Sequence, residues 1–272
     1  MSSVALGPLV FDAARLAAIL GCAVLLGGAE LADIRARRRG APARHAVQAM
    51  RLVVTGLIAA RAGYVAQNLA VFAEAPLDVL KVWQGGFSVG FGLAGLGAAL
   101  AVTALRDLRG ALPLGGLALA AVALGFGLLA AFPDPRGRPA PDVPLHALGG
   151  APLTLTALDG PAVVNLWASW CPPCRREMPM MMEVADGGDL PILFVNQGEQ
   201  PPQITRFLEQ AGLAREGIYL DPARALMATY GARGLPATLF LDAEGRLVGT
   251  HTGEISRAEL LRRMTTLSKG TT

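Results

Sequence analysis

The first half of the chain is written in long apolar runs and the second half in short ones. Residues 9–31, 52–72, 83–105 and 112–132 each offer about the 20 apolar positions that carry a helix across a bilayer, and the last two runs contain no charged residue. Beyond residue 145 the period shortens. Residues 153–158 alternate like a strand and end on Asp159-Gly160, and residues 162–167 read as a buried strand. Residues 190–196 form the next parallel strand, and residues 203–210 form a helix closed by Gly212. A short strand at 218–220 follows, with Asp221-Pro222 starting another helix through Tyr230. Residues 238–241 and 247–250 pair as a hairpin around Asp242-Ala243-Glu244-Gly245. Ser256 and Glu259 form a capping box for the last helix, whose Leu260, Leu261, Met264 and Leu267 share an apolar face. The pattern predicts an α-helical membrane bundle of four transmembrane helices followed by an α/β domain.

Composition agrees with membrane segments: 53% of the 272 residues are hydrophobic and only 17% are charged. The net charge of +3 does not suggest nucleic acid as a partner, because the basic excess sits in one short loop containing Arg35, Arg37, Arg38, Arg39 and Arg44. That loop and the one with Arg106 and Arg109 fall on the cytoplasmic side by the positive-inside rule. The loop with Glu74, Asp78 and Lys81, and everything after the fourth span, fall outside. The first span lacks a basic leader and a small-residue cleavage site, so it reads as retained. Five prolines among residues 133–144 suggest a stiff spacer. The expected organisation is a transmembrane domain at 1–132, a proline-rich linker at 133–145 and a soluble domain at 146–272. The expected location is the inner membrane, multi-pass, with the soluble domain in the periplasm.

The chemistry concentrates at Trp170-Cys171-Pro172-Pro173-Cys174, where the strand at 162–167 turns into a helix. Prolines suit a first helical turn, and the free N–H groups and dipole there favour a thiolate. Of a Cys-x-x-Cys pair so placed, one thiol has a lowered pKa. Cys171, nearer the helix start and more exposed, is expected to attack, and Cys174, one turn in, to resolve the mixed disulfide. A zinc site would need further ligands, and the chain has no second cysteine pair and only three histidines, so no metal is expected there. Cys22 lies alone in an apolar run.

These residues, with Glu177 and Pro179 after them and Gly234-Leu235-Pro236-Ala237-Thr238 later, resemble the thioredoxin superfamily and within it the membrane-anchored TlpA/ResA-like disulfide reductases. The resemblance covers about residues 147–267. It implies a thioredoxin-like fold, a cis-proline at Pro236 facing the active site, and Trp170, Pro172 and Pro173 as support. It also implies a redox-active Cys171–Cys174 disulfide in place of any cofactor. Glu177, three residues after Cys174, can meet it on the helix. In the resembling family this position manages the second thiol's proton. Asn165 stands where thioredoxin has a buried aspartate. Implied clients are disulfide-bearing periplasmic proteins, such as apocytochrome c or a copper-site assembly protein.

A second resemblance lies in the membrane part. Arg61-Ala62-Gly63-Tyr64-Val65 and Val82-Trp83-Gln84-Gly85-Gly86-Phe87-Ser88 are similar to the amino-terminal half of prolipoprotein diacylglyceryl transferase. Arg61, Tyr64 and Asn68 share one face of the second span, and an intramembrane arginine suggests function; two readings stay open, Arg61 holding a lipid phosphate, or Arg61 paired internally in a scaffold remnant. Where the transferase has a histidine this chain has Gly90, and its later signature is absent, so no transferase activity is expected. The membrane part also lacks a cysteine pair, so a separate thiol donor of the DsbD or CcdA kind is expected. The expected activity is that of a thiol–disulfide oxidoreductase acting as a protein disulfide reductase. Two alternatives stay open: a lipid-binding or lipid-modifying membrane protein with a redox accessory domain, and a copper-site assembly scaffold. Met178, Met180, Met181 and Met182 invite the latter, although their spacing does not put all four sulfurs on one helical face.

Overall fold

A computed structural model describes residues 3–6, 9–74, 76–131, 137–148, 151–188 and 190–270. By its contacts the chain divides into two units: residues 13–132, and residues 133–272 together with 1–12.

The first unit is a helical bundle built from α1 (Ala13–Arg38), α2 (His45–Gln67), α3 (Leu69–Glu74), α4 (Val89–Arg106) and α5 (Leu108–Ala131). All but α3 are long and apolar enough to cross a membrane. Their outward faces carry Ile58, Leu105, Leu119 and Phe126, while Leu25, Ala29, Ala49, Leu52, Leu114 and Ala118 pack inside. α1 lies along α5, and α2 along α4. The second contact depends on small residues: a Cβ on Gly63 would fall 2.2 Å from the Phe91 ring, and one on Gly95 2.4 Å from Ala59 Cβ.

Each span differs from its sequence expectation at one or both ends. Residues 9–12 are not helical. They form β2 (Leu9–Asp12), paired antiparallel with β1 (Ser3–Leu6), as β-formers such as Val4, Val10 and Phe11 allow. α2 begins at His45, seven residues early, because the buried carboxylate of Asp33 accepts the N–H groups of His45 and Ala46 and caps the helix from α1. The third span starts at Val89 rather than at 83. Gly85 and Gly86 lie at φ 85° and 77°, outside the helical region, and break the run.

The second unit is a seven-stranded sheet in the order β4-β3-β7-β6-β5-β8-β9. Its strands are β3 (Pro144–Ala147), β4 (Leu153–Thr154), β5 (Ala162–Trp167), β6 (Ile192–Gln197), β7 (Ile218–Asp221), β8 (Ala237–Leu241) and β9 (Leu247–Thr252). β5, β6 and β7 run parallel; β3, β8 and β9 are antiparallel to their neighbours. β5 and β6 are buried along their whole length, which explains why they are mostly apolar; the polar exceptions are Asn165, Asn196 and Gln197. Packing splits at the sheet. Val163 and Trp167 join a core with α6 (Pro172–Asp186), α7 (Pro201–Ala211) and α9 (Arg257–Lys269), while Val164 and Leu166 join one with α8 (Ala225–Tyr230). This is the α/β thioredoxin-like sandwich expected from the sequence.

Three local expectations change. Residues 153–158 make only two strand residues before a 3-10 turn at Leu155–Ala157, because β4 pairs with β3 at its first residue, Pro144, which has no N–H to extend the ladder. Of the proline-rich stretch, residues 133–136 lie outside the described residues. Residues 137–140 run along the hairpin, with Gly137 N–H donating to Leu247 and Ala140 N–H to Gly245. The capping box of α9 is half formed: Ser256 Oγ accepts the Glu259 N–H, but the Glu259 carboxylate turns to Arg262 and Arg263.

Candidate active site

β5 delivers the chain to the carboxyl edge of the sheet, and the turn Ala168-Ser169-Trp170 leads into α6. Cys171 is the N-cap residue, extended at φ −88° and ψ 107°. Pro172 and Pro173 fill the next two positions and carry no N–H. The first backbone donor of α6 is therefore Cys174 N–H, and it points at Cys171 Sγ, 3.3 Å away. A thiolate at Cys171 would receive this bond together with the positive end of the helix dipole. The two sulfurs are joined in a disulfide, S–S 2.07 Å with Cα atoms 5.3 Å apart. The expected contrast in exposure is absent. Cys171 is 3% and Cys174 1% exposed, because closing the bond holds Cys171 Sγ against the first turn of α6. Cys171 is distinguished by its cap position instead. Trp170, at 62% exposed, is the prominent side chain beside the pair.

Pro236 lies at the same edge. Leu166 of β5 pairs with Ala237 of β8, which sets Pro236 level with the end of β5. The Leu235–Pro236 bond is cis.

Glu177 is 2% exposed on the same helix as the cysteines. Asn165 Nδ2 donates to one of its oxygens at 2.9 Å and Ile255 N–H to the other at 2.9 Å. Burial pushes its carboxyl up to about 8, against the pull of those two bonds. The Asn165 amide matters here: it donates to Glu177 and also to Thr238 Oγ1, where an aspartate would set a second carboxylate against the first. Arg176 is held outward by a two-pronged bond to Glu254.

A second buried acid escaped the sequence reading. Glu199, just past β6, accepts from Ser169 N–H at 2.6 Å, Ser169 Oγ at 2.5 Å and Asn196 Nδ2 at 2.7 Å. It anchors the turn that carries Trp170 and Cys171. The available signal was an acid two residues past a mostly apolar strand, on the edge where the cysteines emerge. Met178, Met181 and Met182 are buried in the core, with Met180 packed against it, so these methionines serve packing.

In the helical unit, Arg61 is paired internally, the second of the two readings its sequence position left open. All five of its N–H donors meet backbone carbonyls: Asp78, Val79 twice, Gly85 and Gly86, at 2.8–3.1 Å. The Tyr64, Phe72 and Phe87 rings surround the guanidinium at 5.5–6.0 Å. Asn68 Nδ2 turns back to the Tyr64 carbonyl, and Tyr64 packs edge-on to Phe72.

A cysteine pair capping a helix at the carboxyl edge of a thioredoxin-like sheet, beside a cis-proline and over a buried acid, defines a thiol–disulfide oxidoreductase. The comparisons agree. The Redoxin family matches residues 135–263, and the prolipoprotein diacylglyceryl transferase family matches residues 10–131. The thiol-disulfide oxidoreductase ResA of Halalkalibacterium halodurans is 35% identical over 147 residues, covering 50% of this chain and 82% of that protein. The thiol:disulfide interchange protein HelX of Rhodobacter capsulatus is 34% identical over 138 residues, covering 50% of this chain and 78% of its own. A solved structure of dsbF from MTB, in mixed oxidized and reduced forms, is 28% identical with a TM-score of 0.43, covering 46% of this chain and 95% of that one. The chain belongs to the ResA family of thiol-disulfide oxidoreductases. It carries that enzyme on a helical unit related to prolipoprotein diacylglyceryl transferase.

Proposed function

We propose that the protein is a disulfide reductase of the inner membrane whose redox domain works in the periplasm. Cys171 thiolate attacks one sulfur of a client disulfide, forming a mixed disulfide and releasing the client's other sulfur as a thiolate. Cys174 then attacks Cys171 Sγ. The client leaves as a dithiol with two more electrons and two more protons, and Cys171–Cys174 is left oxidised. The observation that carries this reading is Glu177, buried on the cysteine helix with a carboxyl near 8. A buried thiol can resolve a mixed disulfide only if its proton has somewhere to go, and a group poised near neutrality both takes and returns it. Cys171, Cys174 and Glu177 carry the chemistry; Trp170, Pro172, Pro173 and Pro236 shape its surroundings.

The arginine-rich turn between α1 and α2 supports a cytoplasmic position for that end, which puts the segment after α5 outside. Cys22 is the one cysteine in residues 13–132, so a separate membrane thiol donor of the DsbD or CcdA kind supplies electrons. Clients are periplasmic proteins with paired cysteines, and the names of the relatives fit cytochrome c maturation. A lipid phosphate at Arg61 would have to displace four backbone carbonyls, so we assign Arg61, Tyr64 and Asn68 to holding the loop between α2 and α4.

The test is the resting redox state in cells, read by alkylation after acid quench. A reductase is held mainly as the Cys171/Cys174 dithiol while its donor is present and accumulates as the disulfide when the donor is removed. A pair that stays oxidised in both conditions contradicts the reductase direction.

A further inference from the structure

Beside the disulfide lies a cavity of about 200 Å³, lined by Trp170, Gln197, Arg224, Arg233 and Leu235 among others. The cysteine chemistry does not use it, and two arginines converge on it. Arg224 and Arg233 are exposed, and neither side chain has a hydrogen-bond or ion-pair partner among the described residues. Five other arginines of the domain are ion-paired, Arg176 with Glu254, Arg215 with Glu209, Arg257 with Glu183, Arg262 and Arg263 with Glu259. The side chains of Arg206 and Arg246 stand alone at the surface among the described residues; Arg224 and Arg233 differ from those two in lining one cavity together.

Two features of the backbone hold Arg224 at the cavity. It occupies the left-handed region at φ 55°, where a non-glycine residue is strained. Its guanidinium also lies against Gly198, where a Cβ would come within 2.6 Å of Nε. A third feature points to a ligand. Gln197 is 1% exposed and lines the cavity. Its amide nitrogen donates to the Val195 carbonyl, but its Oε1 has no partner. A buried acceptor left unmatched beside two unmatched cations is costly unless something arrives to meet it.

We propose that this cavity is a specificity site for the client polypeptide, and that it takes an acidic side chain flanking the client's disulfide. The proposal rests on the oxidoreductase reading above. The two guanidinium forks match a carboxylate. Gln197 Oε1 accepts a backbone N–H of the same segment, and the exposed Trp170 ring covers its apolar part. Leu235 connects the cavity to Pro236, so a segment seated here has its neighbouring cysteine at Cys171. The acidic residue selects the client and speeds encounter; it takes no part in the exchange itself.

The test uses the full-length protein in detergent with Cys171 and Cys174 reduced. Two synthetic peptides, each closed by an internal Cys-x-x-Cys disulfide, differ only in carrying Glu or Gln on both flanks. Glutathione disulfide is a third oxidant, presenting carboxylates without a polypeptide. The measured quantity is the second-order rate of protein oxidation. We expect the Glu peptide to react roughly tenfold faster than the Gln peptide at low salt, with the advantage shrinking as salt rises. The double variant Arg224→Gln/Arg233→Gln should bring the Glu peptide down to the Gln peptide's rate. Equal rates in the unaltered protein, or a preference that survives the double variant, overturn the specificity site while leaving the oxidoreductase reading intact. An arginine-dependent advantage confined to glutathione disulfide overturns the polypeptide occupant. If neither peptide oxidises the protein, the reductase reading fails and the site falls with it.

Discussion

On the proposed mechanism, Glu177 ties stability to rate. Its carboxyl titrates near 8 in the folded protein and near 4.5 in the unfolded chain. A raised folded-state value means the folded state holds a proton that the unfolded chain has lost. The stabilisation is fully present below about 4.5 and is lost as pH rises through 8. Denaturant unfolding of the oxidised protein should therefore show stability falling from pH 5 to 8, and Glu177→Gln should flatten that slope. An unchanged slope in the variant would refute the assignment. The same substitution should slow resolution of a mixed disulfide by Cys174 roughly 100-fold at pH 7 and remove an inflection near pH 8. Stopped-flow measurement of the second exchange step reads both. Glu199 works by position. Glu199→Ala strands the Ser169 N–H and Asn196 amide, at a cost of about 1–3 kcal/mol, visible as a lower denaturation midpoint. Glu177 was legible in the sequence because three residues on a helix bring side chains together. Glu199 was not, because its contact with Ser169 spans 30 positions and exists only once β5 and β6 pair.

At the scale of elements, α6 was readable in nearly every respect. Two prolines after a cysteine fix the start of the helix, and the order of β5 and the motif fixes the edge of the sheet. What could not be read was where polar groups across space move an element's end. Asp33 on α1 draws the start of α2 back to His45, and Arg61 on α2 gathers the carbonyls of Gly85 and Gly86, which delay the start of the expected third helix to Val89. A hydropathy window averages over both effects. The role of Arg61 is checkable through the loop it holds. Arg61→Ala leaves the carbonyls of Asp78, Val79, Gly85 and Gly86 without their donor, and loss of even one buried hydrogen bond is worth about 1 kcal/mol or more. Trypsin should cut after Lys81 roughly tenfold faster in the variant, while thiol exchange at Cys171 stays unchanged. Unaltered cleavage would return Arg61 to the lipid-binding reading.

At the scale of the molecule, a thiol enzyme is joined to a helical unit that the prolipoprotein diacylglyceryl transferase family matches and that has no cysteine pair. Residues 13–132 contain a single cysteine, Cys22, and two-electron relay through thiols needs a pair. Vesicles containing only this protein, given thioredoxin and its reductant on the cytoplasmic side, should therefore leave Cys171–Cys174 oxidised. Reduction on the usual enzymatic timescale would show a path through the helices that the cysteine content does not provide. The two-part organisation was legible because apolar runs of about 20 residues and strands of about six cannot be mistaken for each other. The docking of residues 137–140 along the hairpin was not, since proline content predicts stiffness but not what a stiff segment lies against.

The central claim is that Cys171 is a reactive sulfur facing the periplasm. It is tested most directly in intact cells expressing the Cys174→Ser form, treated at neutral pH with a maleimide that cannot cross the membrane. Rapid labelling at Cys171 is expected, lost in the Cys171→Ser/Cys174→Ser form and unchanged by permeabilising the cells. Labelling that appears only after permeabilisation, or a sulfur that stays inert at pH 7, would contradict it.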